Sequence, residues 1–152
     1  MNTNKITPEL EHDYIRYNSK LSIAVGILLS LVALESVIHL NDMNSVFQIL
    51  FYMLIGITSV VMLYFLFDGN KFTKISLSKN AWTGTFDDEF LNSVNLSAYK
   101  YSFFAVFVIA LVGMMIGRSY QLSANTMCSF IIATICITYG VTALYQLREQ
   151  SE

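Results

Sequence analysis

The sequence is poor in charged residues. They make up 13% of its 152 residues, about half of the roughly 25% expected for a soluble domain. Hydrophobic residues make up 55%, and the mean hydropathy is +0.53. A chain of this size has too little polar surface to shield so much apolar material from water, so the expected solvent is a lipid bilayer.

Proline and cysteine are also scarce. The single proline, Pro8, lies outside the apolar runs. Cys128 and Cys136 are the only two cysteines, and both lie in one apolar run. In a helix they would be roughly 12 Å apart along the axis, too far for a disulfide. We therefore interpret both as small packing residues.

Catalytic signatures are missing as well. The sequence has no glycine-rich phosphate loop and no HExxH, CxxC or GxSxG motif. His12 and His39 are its only histidines, and they are expected near opposite membrane faces, where they cannot share a site. The net charge of −2 is too small to indicate direct nucleic-acid binding. We predict a protein that is not an enzyme and that has no metal and no cofactor.

Four apolar stretches are present, at residues 21–40, 46–67, 101–117 and 124–147. A helix needs about 20 residues to cross a hydrocarbon core of about 30 Å. The third stretch reaches this length from Ala98 if Lys100 extends to the interface. The predicted fold class is therefore an all-α membrane protein, with four transmembrane helices arranged as two hairpins.

The positions of lysine and arginine predict the orientation. Eight of the nine fall before the first span, between the second and third spans, or after the fourth, and only Arg118 does not. Basic residues accumulate on the cytoplasmic side. We expect a multi-pass protein of the bacterial inner membrane with both termini in the cytoplasm.

The predicted organisation has five parts. They are a cytoplasmic amphipathic helix (1–20), a first transmembrane hairpin (21–68), a cytoplasmic linker and amphipathic helix (69–100), a second hairpin (101–147) and a cytoplasmic tail (148–152).

Helix-start signals precede the first and third spans. Thr7 can cap a helix, and Pro8 suits its first position. Thr85 is the equivalent cap before span three, and it predicts an unbroken helix from Phe86 to Gly117. Such a helix would project about 18 Å beyond the hydrocarbon core. We expect the projecting segment to dock a cytoplasmic partner through its aromatic and acidic residues, which are Phe86, Asp87, Asp88, Glu89 and Phe90.

Glu35 is the one acidic residue inside an apolar span, and His39 follows on the same helix face. Ionisable groups in a membrane are costly to bury, so they are functional candidates. Arg118 is a possible counter-charge. A proton or ion path and a purely structural interhelical bond both remain open, whereas two candidate ligands are too few to predict a metal site.

Small residues recur at four-residue spacing within the spans and predict close helix contacts. Whether these contacts lie within one chain or between copies stays open at this stage. The candidates are Gly26, Ser30, Gly113, Gly117 and Gly140.

Two segments resemble known proteins. Residues 87–104, DDEFLNSVNLSAYKYSFF, resemble the acidic helix that leads into a span in many small bacterial membrane proteins. The tail ALYQLREQSE, residues 143–152, is similar to the end of the four-span membrane partner of Rex phage-exclusion systems. The resemblance implies a membrane component of a phage-defence or immunity operon, and it transfers no site residue.

These observations lead to one leading hypothesis and two alternatives. The leading one is a non-enzymatic membrane subunit that forms homo-oligomers, contacts lipid, and senses the membrane or anchors a cytoplasmic protein, with phage defence as the process that the resemblance implies. The alternatives are an oligomeric ion or proton channel that uses Glu35 and His39, and an immunity protein against a bacteriocin or other toxin.

Overall fold

The computed structural model describes residues 7–38, 44–72, 85–116 and 122–149. Its helices are α1 (Pro8–Val37), α2 (Ser45–Asp68), a short 3-10 helix (Gly69–Phe72), α3 (Glu89–Ile116) and α4 (Ala124–Glu149). These ranges contain no strand. All four α-helices are long and apolar enough to cross a membrane, which confirms the predicted all-α fold class with four candidate spans.

The first two helices begin as their sequences indicate. Pro8 occupies the first turn of α1, and the Thr7 carbonyl accepts the N–H groups of Leu10 and Glu11 at 3.0 and 3.1 Å. Thr7 is the N-cap residue, but its side chain makes no capping hydrogen bond. The side chain of Asn44 caps α2 by accepting the Val46 N–H at 3.2 Å.

Helix α3 begins at Glu89, three residues later than predicted. The Asp88 carboxylate accepts the Phe90 N–H at 2.8 Å, which makes Asp88 the capping residue. The Asn92 amide accepts the Phe86 N–H at 2.6 Å and donates to the Phe86 carbonyl at 2.7 Å. Because these two bonds use the backbone groups of Phe86, the predicted helix start at Phe86 with Thr85 as its cap is wrong.

The largest helix interface joins α1 to α4, the first and last helices in sequence. Helix α3 packs on α4, and α2 packs on α1. Both helix pairs that were predicted as hairpins are therefore in contact. The hairpin arrangement itself stays a prediction, because residues 39–43 and 117–121 lie outside the described ranges.

Glycine residues let α1 and α4 approach closely. A Cβ atom added at Gly26 would lie 2.6 Å from Ile137 Cγ1 and 2.9 Å from the carbonyl oxygen of Ala133. One added at Gly140 would lie 2.5 Å from the carbonyl oxygen of Ser19. Neither helix can accept a methyl group at these positions without moving. The two helices therefore cross at small residues, which let their backbones approach closely.

The periphery of the bundle is apolar and exposed. Only Phe51 and Thr58 are buried on α2. On α3 the last buried residue is Ser102, and the remainder of that helix exposes large apolar side chains such as Phe103 and Met115. Such surfaces suit contact with lipid acyl chains.

The lysines and arginines of the four α-helices all lie at one end of the bundle, which we call the basic end. They are Arg16, Lys20, Lys100 and Arg148. This end contains the N-termini of α1 and α3 and the C-termini of α2 and α4. The opposite end contains Glu35 of α1 and Tyr52 of α2, which are in contact.

Candidate functional site at the basic end

The helices are packed together at the basic end. One cluster of buried apolar residues joins α1, α3, α4 and the segment before α3. Its members are Ile15, Phe86, Leu91, Val94, Ala98, Tyr139, Ala143 and Leu147, and Tyr14 and Phe90 pack against it. The predicted extensions before spans one and three therefore hold each other in place.

Glu11 is buried at this end, with only 2% of its surface exposed. Its carboxylate oxygens accept the Asp87 backbone N–H at 3.2 and 3.4 Å. A negative charge is favourable near the N-terminus of a helix, and α3 starts two residues after Asp87. Glu11 thus ties α1 to the entrance of α3.

A buried polar contact joins α3 to α4. The Tyr139 hydroxyl donates to Asn95 Oδ1 at 2.8 Å, and the Tyr99 ring lies 5.2 Å from the Tyr139 ring. One turn or more away, the Ser102 hydroxyl lies 2.8 Å from the Ala98 carbonyl and 3.4 Å from that of Ile135. Among the residues that the structure describes, no buried side-chain nitrogen or oxygen lacks a hydrogen-bond partner.

The end of α2 is attached to α1 through aromatic residues. The Tyr17 hydroxyl donates to the Phe65 carbonyl at 2.5 Å. The Phe72 ring lies 5.0 Å from Tyr17 and 5.9 Å from Tyr14. The absence of a side chain at Gly69 leaves room for the Tyr17 ring. The whole basic end is therefore one packed unit that includes the 3-10 helix.

The predicted docking residues have different environments. Phe86 is buried in the core and Phe90 is half-buried beside it. Asp88 is half-buried and caps α3, whereas the side chains of Asp87 and Glu89 are exposed. Docking by this segment stays a prediction, and in this fold only Asp87 and Glu89 of the set offer freely exposed side chains.

Charge is layered at the basic end. Exposed carboxylates form an acidic tip at the starts of α1 and α3, and its members are Glu9, Asp13, Asp87 and Glu89. Exposed cations form a basic girdle closer to the apolar spans, and its members are Arg16, Lys20, Lys100 and Arg148. The tip and the girdle follow each other along both α1 and α3. This surface is the candidate functional site.

The polar candidates inside the spans are only partly described. Glu35 is half-buried, and its Oε1 accepts the Tyr52 hydroxyl at 3.1 Å. This bond joins α1 to α2. His39 and Arg118 lie outside the described residues. Tyr52 was not predicted from the sequence as a partner of Glu35. Tyr52 lies near the same end of the neighbouring span, and this position could have indicated the contact.

The other predicted packing residues also have specific neighbours. Ser30 donates to the Gly26 carbonyl of its own helix at 2.9 Å. An added Cβ at Gly113 would meet the Met127 side chain of α4. Gly117 lies outside the described residues. The contacts of Gly26, Gly113 and Gly140 therefore lie within one chain.

Within residues 7–38, 44–72, 85–116 and 122–149, no group of three or more His, Cys, Asp or Glu side chains could hold a metal ion. Cys128 is exposed and Cys136 is half-buried, and both are free thiols. Compared with protein-family models, curated proteins and solved structures, the chain shows no match.

Proposed function

We propose that this protein is a non-enzymatic membrane anchor whose acidic tip docks a cytoplasmic protein with a basic surface. In this proposal it resides in the bacterial inner membrane with both termini in the cytoplasm. The observation that carries the proposal is the exposure of Glu9, Asp13, Asp87 and Glu89 at a packed end of the bundle.

Rigidity matters because association has an entropic cost. A docking segment that orders only on binding loses conformational freedom at that moment. Here the entrance of α3 is already fixed by Glu11 and by the paired backbone of Phe86. The preorganised tip can therefore bind a partner without that loss.

Charge gives the tip its selectivity. Four exposed carboxylates on two adjacent helix starts create a negative field that accelerates encounter with a basic surface. The same field repels anionic lipid headgroups, so the tip should stand away from the membrane surface. This arrangement favours a protein partner over the bilayer.

Oligomerisation and a role in phage defence belong to the same proposal. Helix α2 has two buried residues and otherwise exposes its apolar surface, which suits lipid or further copies of the chain. The phage-defence role is supported by the resemblance of residues 143–152 to the membrane partner of Rex systems.

Charge reversal is a sharper test than truncation. Deleting residues 1–18 would also remove Glu11 and Ile15, both nearly fully buried. We would instead combine Asp13→Lys with Glu89→Lys, which alters exposed side chains only. Glu149→Lys is the matched control, because Glu149 is exposed at the same end but lies on α4, outside the tip.

A photo-crosslinking amino acid at Glu9, an exposed tip position that the double charge reversal leaves unchanged, should yield a protein adduct in cells, and the double charge reversal should abolish it. The Glu149→Lys control should retain the adduct. If position 9 gives only lipid adducts, or if the double reversal leaves the protein adduct intact, docking at the tip is refuted. Reporter fusions at both termini test the proposed orientation independently.

A further inference from the structure

A cleft of about 310 Å³ lies between α1 and α4 at the basic end. Its lining residues are His12, Arg16, Lys20, Leu144, Leu147 and Arg148. We call it the basic cleft. Among the residues that the structure describes, every polar side chain of this lining is basic, and the two leucines make up the apolar part.

The basic side chains converge from two helices. His12, Arg16 and Lys20 follow each other at four-residue spacing, so they share one face of α1. They extend over roughly 12 Å of the helix axis. Arg148 is contributed by the last turn of α4. An anion placed between the two helices would therefore contact basic groups from both of them.

A neighbouring cleft provides a contrast. It has a volume of about 360 Å³, lies between α1 and α2, and also includes Arg16 and Lys20. Its lining contains two carboxylates, those of Asp13 and Asp68. Charge is therefore mixed on the α2 side of Arg16 and Lys20. On the α4 side the described lining residues that carry charge are all basic.

The basic cleft lies at the level expected for lipid headgroups. Lys20 immediately precedes the apolar run that begins at Leu21, and Arg148 immediately follows the run that ends at Leu147. Basic residues at such boundaries reach the headgroup layer. Leu144 is half-buried and offers an apolar surface for the first carbons of an acyl chain, whereas Leu147 is buried beneath the cleft.

We propose that the basic cleft binds the phosphate group of an anionic phospholipid, with Arg16, Lys20 and Arg148 as its cationic ligands. The two arginines can each donate two hydrogen bonds to phosphate oxygens, and the lysine adds a point charge. Leu144 contacts the adjoining acyl chain. The site is separate from partner docking at the acidic tip, and neither depends on the other.

The test uses the full-length protein in phosphatidylcholine bilayers, with spin-labelled phosphatidylglycerol as the probe. Wild-type protein should bind the anionic lipid in preference to labelled phosphatidylcholine. Arg16→Gln and Arg148→Gln should each weaken this preference about five-fold, the effect expected for one cation near an anionic surface. Lys20→Arg keeps the charge and should retain the preference.

Lys100→Gln is the matched control. Lys100 is an exposed cation of the same basic girdle, but it lies on α3 and does not line the cleft. It should leave the lipid preference unchanged. If Lys100→Gln weakens the preference as much as Arg16→Gln, the general field of the basic end explains the binding and the specific site is refuted.

Inorganic phosphate and glycerol phosphate distinguish a lipid from a soluble ligand. The proposal expects neither to displace the labelled lipid, because neither has an acyl chain to contact Leu144. Displacement by either compound would assign the cleft to a soluble phosphate and overturn the lipid assignment. The substituted side chains are exposed, so the variants should melt at the wild-type temperature. An unchanged melting temperature excludes misfolding as the cause of a weakened lipid preference.

Discussion

The carboxylate of Glu11 accepts the backbone N–H of Asp87, a residue 76 positions later in the chain. The contact joins the first helix to the entrance of the third. It places a buried negative charge where the N-terminus of α3 favours one. It also holds the acidic tip in a fixed position, on which the proposed docking function depends.

Replacing Glu11 should destabilise the protein. Glu11→Ala removes the buried carboxylate that accepts the Asp87 N–H, and the loss of such a part-buried bond costs about 1–3 kcal/mol. Glu11→Gln keeps one acceptor oxygen and should cost less. Glu9→Gln is the control, because Glu9 is exposed one half-turn away. Thermal unfolding in detergent measures the stability of all three variants. An unfolding midpoint for Glu11→Ala equal to that of Glu9→Gln would contradict a stabilising Glu11–Asp87 hydrogen bond.

The α1–α4 crossing should not tolerate a methyl group at Gly140. An added Cβ would approach the Ser19 carbonyl oxygen to 2.5 Å, so Gly140→Ala should cost about 1–3 kcal/mol by overpacking. Gly56→Ala on α2 is the matched control, because nothing lies within 4 Å of its added Cβ. It should leave the melting temperature unchanged or raise it slightly. Equal loss in both variants would mean that the crossing is not a tight contact.

The Tyr139–Asn95 bond should make a modest contribution to stability. Tyr139→Phe removes one buried hydrogen bond, and interhelical bonds of this kind in membranes average about 0.6 kcal/mol. Tyr145→Phe, which alters an exposed tyrosine of the same helix, should cost less. A double-mutant cycle with Asn95→Ala measures the coupling between the two side chains, and a coupling of zero would refute the bond.

Glu35 should act as a structural partner of Tyr52. Glu35→Gln still accepts a hydrogen bond, whereas Tyr52→Phe removes the donor. Both variants should therefore fold, and their effects on stability should not add, because they share one contact. The competing channel hypothesis predicts ion or proton flux in vesicles that Glu35→Gln abolishes. Observing that loss with unchanged stability would assign Glu35 to a conduction path instead.

Local sequence patterns predicted the helices well, because a membrane-crossing helix depends on the hydropathy, length and capping residues of a single segment. The four spans follow from runs of apolar residues long enough for a bilayer, and α1 starts at Pro8 as predicted. The predicted start of α3 was wrong because two residues compete to cap this helix. Both Thr85 and Asp88 suit a cap, and the side chain of Asn92 decides between them by pairing with Phe86.

The candidate site was less predictable. Its acidic residues before α3 were singled out from their position at a helix start. That Phe86 points into the core was not foreseen, because an aromatic residue in an amphipathic segment can face either a partner or its own bundle. The sequence indicated only that Glu11 carries a favourable charge at a helix start. The hydrogen bond from the Asp87 N–H to Glu11 could not be predicted, because the two residues are distant in sequence.

By itself the sequence determined the solvent, the number of membrane-crossing helices and the collection of cations at one end, because hydropathy, length and charge are read residue by residue. Only the tertiary structure decided that α1 pairs chiefly with α4, that Glu11 is buried against the entrance of α3, and that Arg16, Lys20 and Arg148 line one cleft. These relationships join residues far apart in the chain. They follow from which helix faces fit closely enough to pack, and no local pattern specifies that fit.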